Sequence, residues 1–180
     1  MNLFITCARS LEPETENEIR KILNESGDQK PEIYKSDMRG ILFVNTNIET
    51  SKIIDCVKVK INDEPWSVRY CLRIIPIQLE CDTDIEKIKQ NIQKLKKIVQ
   101  KNDSYRITIE KRNSDISSQE MITEIASLFS NKVSLDVPDW VVLIEIFGNK
   151  TGISILKNDG IFSLEKIKAG IRIVMQLFQQ

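Results

Sequence analysis

The strongest constraint on this chain is how its hydrophobic period switches before residue 65. Leu3-Phe4-Ile5-Thr6-Cys7 is a short apolar run of strand type. Thr15, Ile19, Ile22 and Leu23 then fall at helical spacing within 14–24. Pro13 stands where a helix starts, and Glu12, Glu14, Glu16 and Glu18 crowd the first turns, where carboxylates meet the positive end of the helix dipole. Ile33-Tyr34 and Ile41-Leu42-Phe43-Val44 read as two strands around the turn-forming Asp37-Met38-Arg39-Gly40, and Ile53, Ile54, Val57 and Ile61 mark a second helix. Strand, helix, strand, strand, helix and a further strand is the order of a ferredoxin-like unit.

Asn62-Asp63-Glu64-Pro65 breaks the helical pattern and sets the expected boundary, giving segments 1–65, 66–157 and 158–180. Their net charges are −3, +2 and +1, so the basic excess is small and lies in the second segment. There, 72–81 reads as a strand that must be an edge or bulge at Pro76. Thr83-Asp84-Ile85-Glu86 and Ser117 with Glu120 have the spacing of capping boxes. The first opens a helix with Ile85, Ile88, Ile92, Leu95, Ile98 and Val99 on one face. The second opens one with Met121, Ile122, Ile125, Ala126, Leu128 and Phe129 inward. Tyr105-Arg106-Ile107-Thr108-Ile109-Glu110 alternates as a half-buried strand does, whereas 140–147 is nearly all apolar, as a strand covered on both faces is. Gly152-Ile153-Ser154-Ile155-Leu156 reads as its neighbour. Ser163 caps a last amphipathic helix with Leu164, Ile167, Ile171, Val174, Met175 and Phe178 on a stripe. The fold class expected is mixed α/β (α+β).

Composition removes several function classes. The chain has 26 basic and 26 acidic residues and no His. Bulk charge therefore cannot supply binding to nucleic acid, and any such binding must come from a few oriented groups. Catalysis by Ser-His-Asp or Cys-His and histidine metal sites are excluded. Cys7, Cys56, Cys71 and Cys81 form no C-x-x-C pair and read as reduced, buried small hydrophobes. No phosphate loop, dinucleotide-binding glycine fingerprint or G-x-S-x-G elbow is present. Asp82 with Asp84, and Asp136 with Asp139, read as caps and turns rather than metal ligands. The N-terminal run is too short and lacks a basic flank for a signal peptide, and no apolar run is long enough to span a membrane, so a cytoplasmic protein without membrane contact is expected. The expectation is a binding module with no catalytic residues, no metal and no cofactor.

Two basic clusters carry the chemistry. Arg69-Tyr70-Cys71-Leu72-Arg73 offers two guanidinium forks with an aromatic between them, a combination suited to phosphate and base contact. Lys111-Arg112-Asn113-Ser114 lies between a strand and a capped helix, where side chains and helix-start amides together attract anions. An ordinary solvated turn is the plain alternative for either.

At these residues the chain resembles the THUMP family. Arg69-Tyr70, Leu72-Arg73, Pro76-Ile77 and Cys81 look like the opening of that domain. Tyr105-x-Ile107, Lys111-Arg112-Asn113-Ser114, Glu120-x-Ile122-x-Glu124-Ile125-Ala126, Val133-x-Leu135-Asp136-x-Pro138-Asp139, Val142-x-Ile144-Glu145-Ile146 and Ile153-Ser154-Ile155-Leu156 continue it in order. Phe4-Ile5-Thr6-Cys7 and Arg39-Gly40-Ile41-Leu42-Phe43-Val44-Asn45-Thr46 extend the likeness to the stand-alone THUMP proteins that serve as tRNA-binding adaptors of the RNA cytidine acetyltransferase. The resemblance covers roughly 3–157. It implies an N-terminal ferredoxin-like domain packed on an α/β THUMP domain, with tRNA held across both. It implies that Arg69, Arg73, Lys111, Arg112 and Asn113 contact RNA, while the partner enzyme carries out 4-acetylcytidine formation. THUMP domains also precede tRNA methyltransferases and thiouridine synthetases, so a subunit of such an enzyme is the alternative, and an RNA-free scaffold the third. The C-terminal helix lies outside the family motif. Its stripe either packs on its own domain or docks the enzyme or a second copy as a homodimer.

Overall fold

The computed structural model describes residues 1–177, with side chains described through residue 170. Its elements run β1 (Leu3–Cys7), α1 (Glu12–Glu25), β2 (Glu32–Lys35), β3 (Ile41–Asn45), α2 (Thr50–Asp63), β4 (Cys71–Pro76), β5 (Leu79–Asp82), α3 (Ile85–Leu95), β6 (Ser104–Arg112), α4 (Ser118–Ala126), β7 (Lys132–Val133), β8 (Trp140–Phe147), β9 (Lys150–Lys157), β10 (Phe162–Ser163) and α5 (Leu164–Leu177). No helix among the described residues is long and apolar enough to cross a membrane.

The chain divides into two compact units: residues up to Pro76 together with those from Gly160 onward, and Ile77–Asp159. In the first, the strands lie in the order β10-β4-β1-β3-β2, all antiparallel. Its βαββαβ portion has the ferredoxin-like arrangement expected from the alternating periods. Ile19, Ile22 and Leu23 of α1 and Ile53, Ile54, Val57 and Ile61 of α2 meet Leu3, Ile5, Leu42, Val44 and Ile74 of the sheet in one core.

The expected boundary at residue 65 differs from this division. Cys71–Pro76 pairs with β1 through Ile74 opposite Ile5 and Pro76 opposite Leu3, so the last strand of the first unit lies beyond the Asn62–Pro65 break. The strand expected over 72–81 is two strands in two sheets. The segment expected as a C-terminal helix over 158–180 begins with a short strand of the first unit. Phe162 and Ser163 pair with Ile74 and Arg73, and Phe162 and Leu164 enter the first core with Ile167 packed against it. The second unit is thus an insertion between β4 and β10. The stripe positions Ile171, Val174, Met175 and Phe178 lie outside the described side chains.

In the second unit the order is β5-β9-β8-β6-β7, with β6 parallel to β7 and β8, and β9 antiparallel to β8 and β5. β8 is the middle strand and is buried from Val141 to Phe147, as its near-continuous apolar sequence requires. Ile88 and Ile92 of α3 and Met121 and Ile125 of α4 pack on Val142, Ile144, Ile146, Ile153 and Ile155. Ser117 caps α4 as expected, accepting from the Glu120 amide at 3.3 Å. Asp84 rather than Thr83 caps α3, accepting from the Lys87 amide at 2.9 Å, because the Thr83 hydroxyl donates to the Gly148 carbonyl at 3.2 Å. α3 tightens into a 3-10 turn at Lys96–Ile98, which rotates Ile98 off the buried stripe and leaves it exposed.

Gly40 shows how tightly the first unit is closed. Its φ is +77°, and an added Cβ would lie 2.7 Å from the Cys7 carbonyl oxygen. Gly40→Ala is expected to lower stability by about 2 kcal/mol or more, combining left-handed strain with a backbone clash. Gly148 also has positive φ, +65°, but nothing lies within 4 Å of its built Cβ. Gly148→Ala should therefore lose only about 1–2 kcal/mol. Denaturant unfolding of both variants checks the difference; equal losses would mean the Gly40 contact relaxes freely.

Candidate nucleic-acid interface

The Arg69 cluster belongs to the first unit and is fixed by one carboxylate. Glu18 on α1 accepts the backbone N–H groups of Arg69 at 2.7 Å, Tyr70 at 3.2 Å and Cys71 at 2.7 Å. Three amides that would otherwise need water are satisfied, and the entry to β4 is held against α1. Val68, fully buried one residue earlier, anchors the same turn. On this fixed backbone the Arg69 side chain stays exposed, and its Nε donates to the Trp66 carbonyl at 3.0 Å. Its two terminal nitrogens make no hydrogen bond among the described residues, so they remain able to grip a phosphate. The Trp66 indole is 63% exposed, and Tyr70 is half-buried. Arg73 is half-buried on β4, opposite Thr6 on one side and Ser163 on the other.

The second cluster belongs to the inserted unit, and its three members have different situations. Arg112 Nη1 donates to Glu145 Oε2 at 2.6 Å, and Glu145 is fully buried in β8. Arg112 therefore neutralises an internal carboxylate. Lys111 Nζ donates to the Ile116 carbonyl at 2.8 Å, closing the loop that leads to α4. Asn113 is exposed and adopts a φ of 52°, turning the chain out of β6. Lys111 and Arg112 thus have structural partners, whereas Arg69 presents unengaged donors. Arg69 and Arg73 share the first unit, and Lys111, Arg112 and Asn113 share the second.

Three of the four paired aspartates, Asp82, Asp84 and Asp139, are engaged locally. Asp82 is paired with Lys87 at 2.6 Å and Lys150 at 2.9 Å, and hydrogen bonds from these lysines push its carboxyl down to about 2. Asp139 accepts from the backbone and hydroxyl of Ser104, each at 2.7 Å, and these bonds lower its pKa. Among the described residues no group of three or more potential ligands is placed to hold a metal. Burial raises the thiols of Cys7, Cys71 and Cys81, which opposes nucleophilic use. Cys56 is exposed, contrary to the expectation of a buried small hydrophobe.

Pattern reading did not single out Trp66 or Glu18. Trp66 sits in a turn, where its exposure follows from the tertiary fold, and Glu18 looked like one more first-turn carboxylate. The only local sign was a large aromatic between Pro65 and Ser67, outside any periodic segment.

Comparison with known proteins finds a domain match confined to the inserted unit. Residues 82–156 match the THUMP domain model. An uncharacterised protein of Methanocaldococcus jannaschii, MJ0421, is 28% identical over 117 residues, spanning 62% of this chain and 32% of its own length. PH1313 of Pyrococcus horikoshii has a TM-score of 0.58 at 19% identity, covering 87% of this chain and 55% of its own. TrmN of Thermus thermophilus also has a TM-score of 0.58, at 11% identity, over 85% of this chain and 44% of its own. A possible methylase of Clostridium difficile has a TM-score of 0.51 at 18% identity, over 86% of this chain and 40% of its own. The chain thus spans about a third of the curated relative and about half or less of these solved ones, which share its fold. Residues 82–156, carrying α3, α4 and the sheet around β8, are a THUMP domain.

Proposed function

We propose that this chain is a non-catalytic tRNA-binding adaptor that presents tRNA to an RNA cytidine acetyltransferase for 4-acetylcytidine formation in the cytoplasm. A THUMP domain is an RNA-binding module, and the observation that carries the reading is the exposed Trp66 and Arg69, with half-buried Tyr70 beside them, on a backbone clamped by Glu18. Guanidinium donors fit a phosphate and an open indole fits an unstacked base. Arg69 is the principal contact and Arg73 its neighbour along β4. Asn113 and Lys111 are contacts at the end of β6, and Arg112 acts mainly by holding that strand end. The resemblance along 3–157 supplies the adaptor role and the partner. The alternative is the RNA-binding part of a methylating or thiolating enzyme, favoured by the fold shared with longer proteins, one of them named a possible methylase.

The test mixes the purified chain, the acetyltransferase, ATP, labelled acetyl-CoA and bulk tRNA. The chain should raise acetyl incorporation into tRNA by at least about 10-fold, a barrier change of about 1.4 kcal/mol. Unchanged incorporation would contradict the adaptor reading.

A further inference from the structure

The inserted unit carries a second exposed feature that RNA contact does not absorb. Val133 is 54% exposed, Leu135 67% and Val137 78%. They lie at every second position of 133–137, which leaves β7 after Val133 and bends over 135–137, so three large apolar groups stand exposed within five residues as one ridge. The backbone beneath them is firmly held. The Ser134 amide donates to the Tyr105 carbonyl at 3.0 Å, and Arg106 Nη1 donates to the Leu135 carbonyl at 2.9 Å. Pro138 is buried and Asp139 is bound by Ser104. A mobile loop would let its aliphatic groups fold inward; this one is tied so that they face outward.

The ridge continues from β7, which ends the strand order of its sheet, so one edge of β7 has no strand beside it among the described residues. An extended polypeptide can add there by backbone hydrogen bonds, with its side chains meeting the ridge. The surrounding charge selects the kind of chain. Lys132 opens the ridge. Asn131 Nδ2 donates to the Gln100 carbonyl at 2.7 Å and the Asp103 carbonyl at 3.1 Å, which brings the turn bearing Lys101 to the same end, with Lys97 just before it. Lys97, Lys101 and Lys132 are exposed and make no ion pair among the described residues. The carboxylates of the neighbouring segments are Asp103, held by the Gln100 amide and the Trp140 indole, Asp139, held by Ser104, and the exposed Asp136. RNA fits this end less well than protein, because valine and leucine offer no π-face for a base to stack on.

We propose that the ridge 133–137 and its lysine flank dock an extended segment of the catalytic partner, with apolar residues at alternate positions and acidic residues beside them. This rests on the adaptor reading and names the surface it uses. Two variants test it in the full chain: Val133→Ser/Leu135→Ser/Val137→Ser, and Lys97→Glu/Lys101→Glu/Lys132→Glu. All six positions are exposed, so both should melt like the wild type. Binding of the acetyltransferase, measured by sedimentation, should weaken by at least about 10-fold in each, and tRNA affinity should stay within about twofold. Acetyltransferase binding that survives in the folded variants overturns the ridge and leaves the adaptor reading standing. A parallel loss of tRNA affinity would make the ridge an RNA surface and overturn the proposal. So would a wild-type self-association that the serine variant abolishes. Failure of the wild type to bind the acetyltransferase overturns both proposals, and the tRNA titration then shows whether RNA binding itself remains.

Discussion

Arg112→Ala should destabilise the chain by about 3–5 kcal/mol, a large share of the total stability of a domain this size. Glu145 is fully buried at the middle of the second sheet, and Arg112 Nη1 reaches it at 2.6 Å from the adjoining parallel strand. Truncating the arginine leaves a buried carboxylate facing a gap. Two further variants separate the pair from the individual groups. Glu145→Leu alone should leave the partly exposed guanidinium free to turn to water. Arg112→Leu with Glu145→Leu should recover most of the loss, because two apolar groups need no compensation. Urea unfolding of the single and double variants measures the coupling. An Arg112→Ala protein as stable as the wild type, but weaker for tRNA, would return Arg112 to the role of a direct RNA contact.

The largest effect on binding is expected from Trp66→Ala with Arg69→Ala. Stacking one base contributes about 1–3 kcal/mol and one well-placed arginine a similar amount, so the double variant should lose about 2–4 kcal/mol of tRNA affinity. Stability should hardly change, because both side chains are exposed and the Arg69 amide keeps its bond to Glu18. The salt dependence should also fall by about one unit of slope, since one phosphate contact is lost. In Trp66→Ala alone that slope should not move, because the indole carries no charge. Filter-binding titrations across salt separate the two contributions.

What was legible in the sequence follows from the range of each interaction. The βαββαβ order was legible because periods of two and near 3.6 alternate cleanly and because Pro13 and the acidic first turn mark the start of α1. Ser117 was legible because its bond partner is three residues away. Thr83 was not, since the competing acceptor at Gly148 lies across the unit. The boundary at Pro76 was hidden because the apolar residues before and after it look alike whichever sheet they enter. The return of the chain through β10 was hidden because two residues carry too little pattern. The same limit applies to the interface. Basic residue types in sequence single out Arg69, Arg73, Lys111 and Arg112 alike as candidates, and only their neighbours in space separate them. Arg112 and Glu145 stand 33 positions apart, so nothing local showed that Arg112 answers a buried charge. The exposure of Trp66 and the grip of Glu18 on three successive amides depend likewise on α1 packing beside the start of β4.

The adaptor reading is tested most directly by titrating the purified chain with bulk tRNA at about 50 and about 200 mM salt, beside the folded Trp66→Ala/Arg69→Ala variant. Saturable wild-type binding that weakens at the higher salt, and falls by about 30-fold or more in the variant, is the expected result. No wild-type binding at the lower salt, or equal affinity in both proteins, would contradict it.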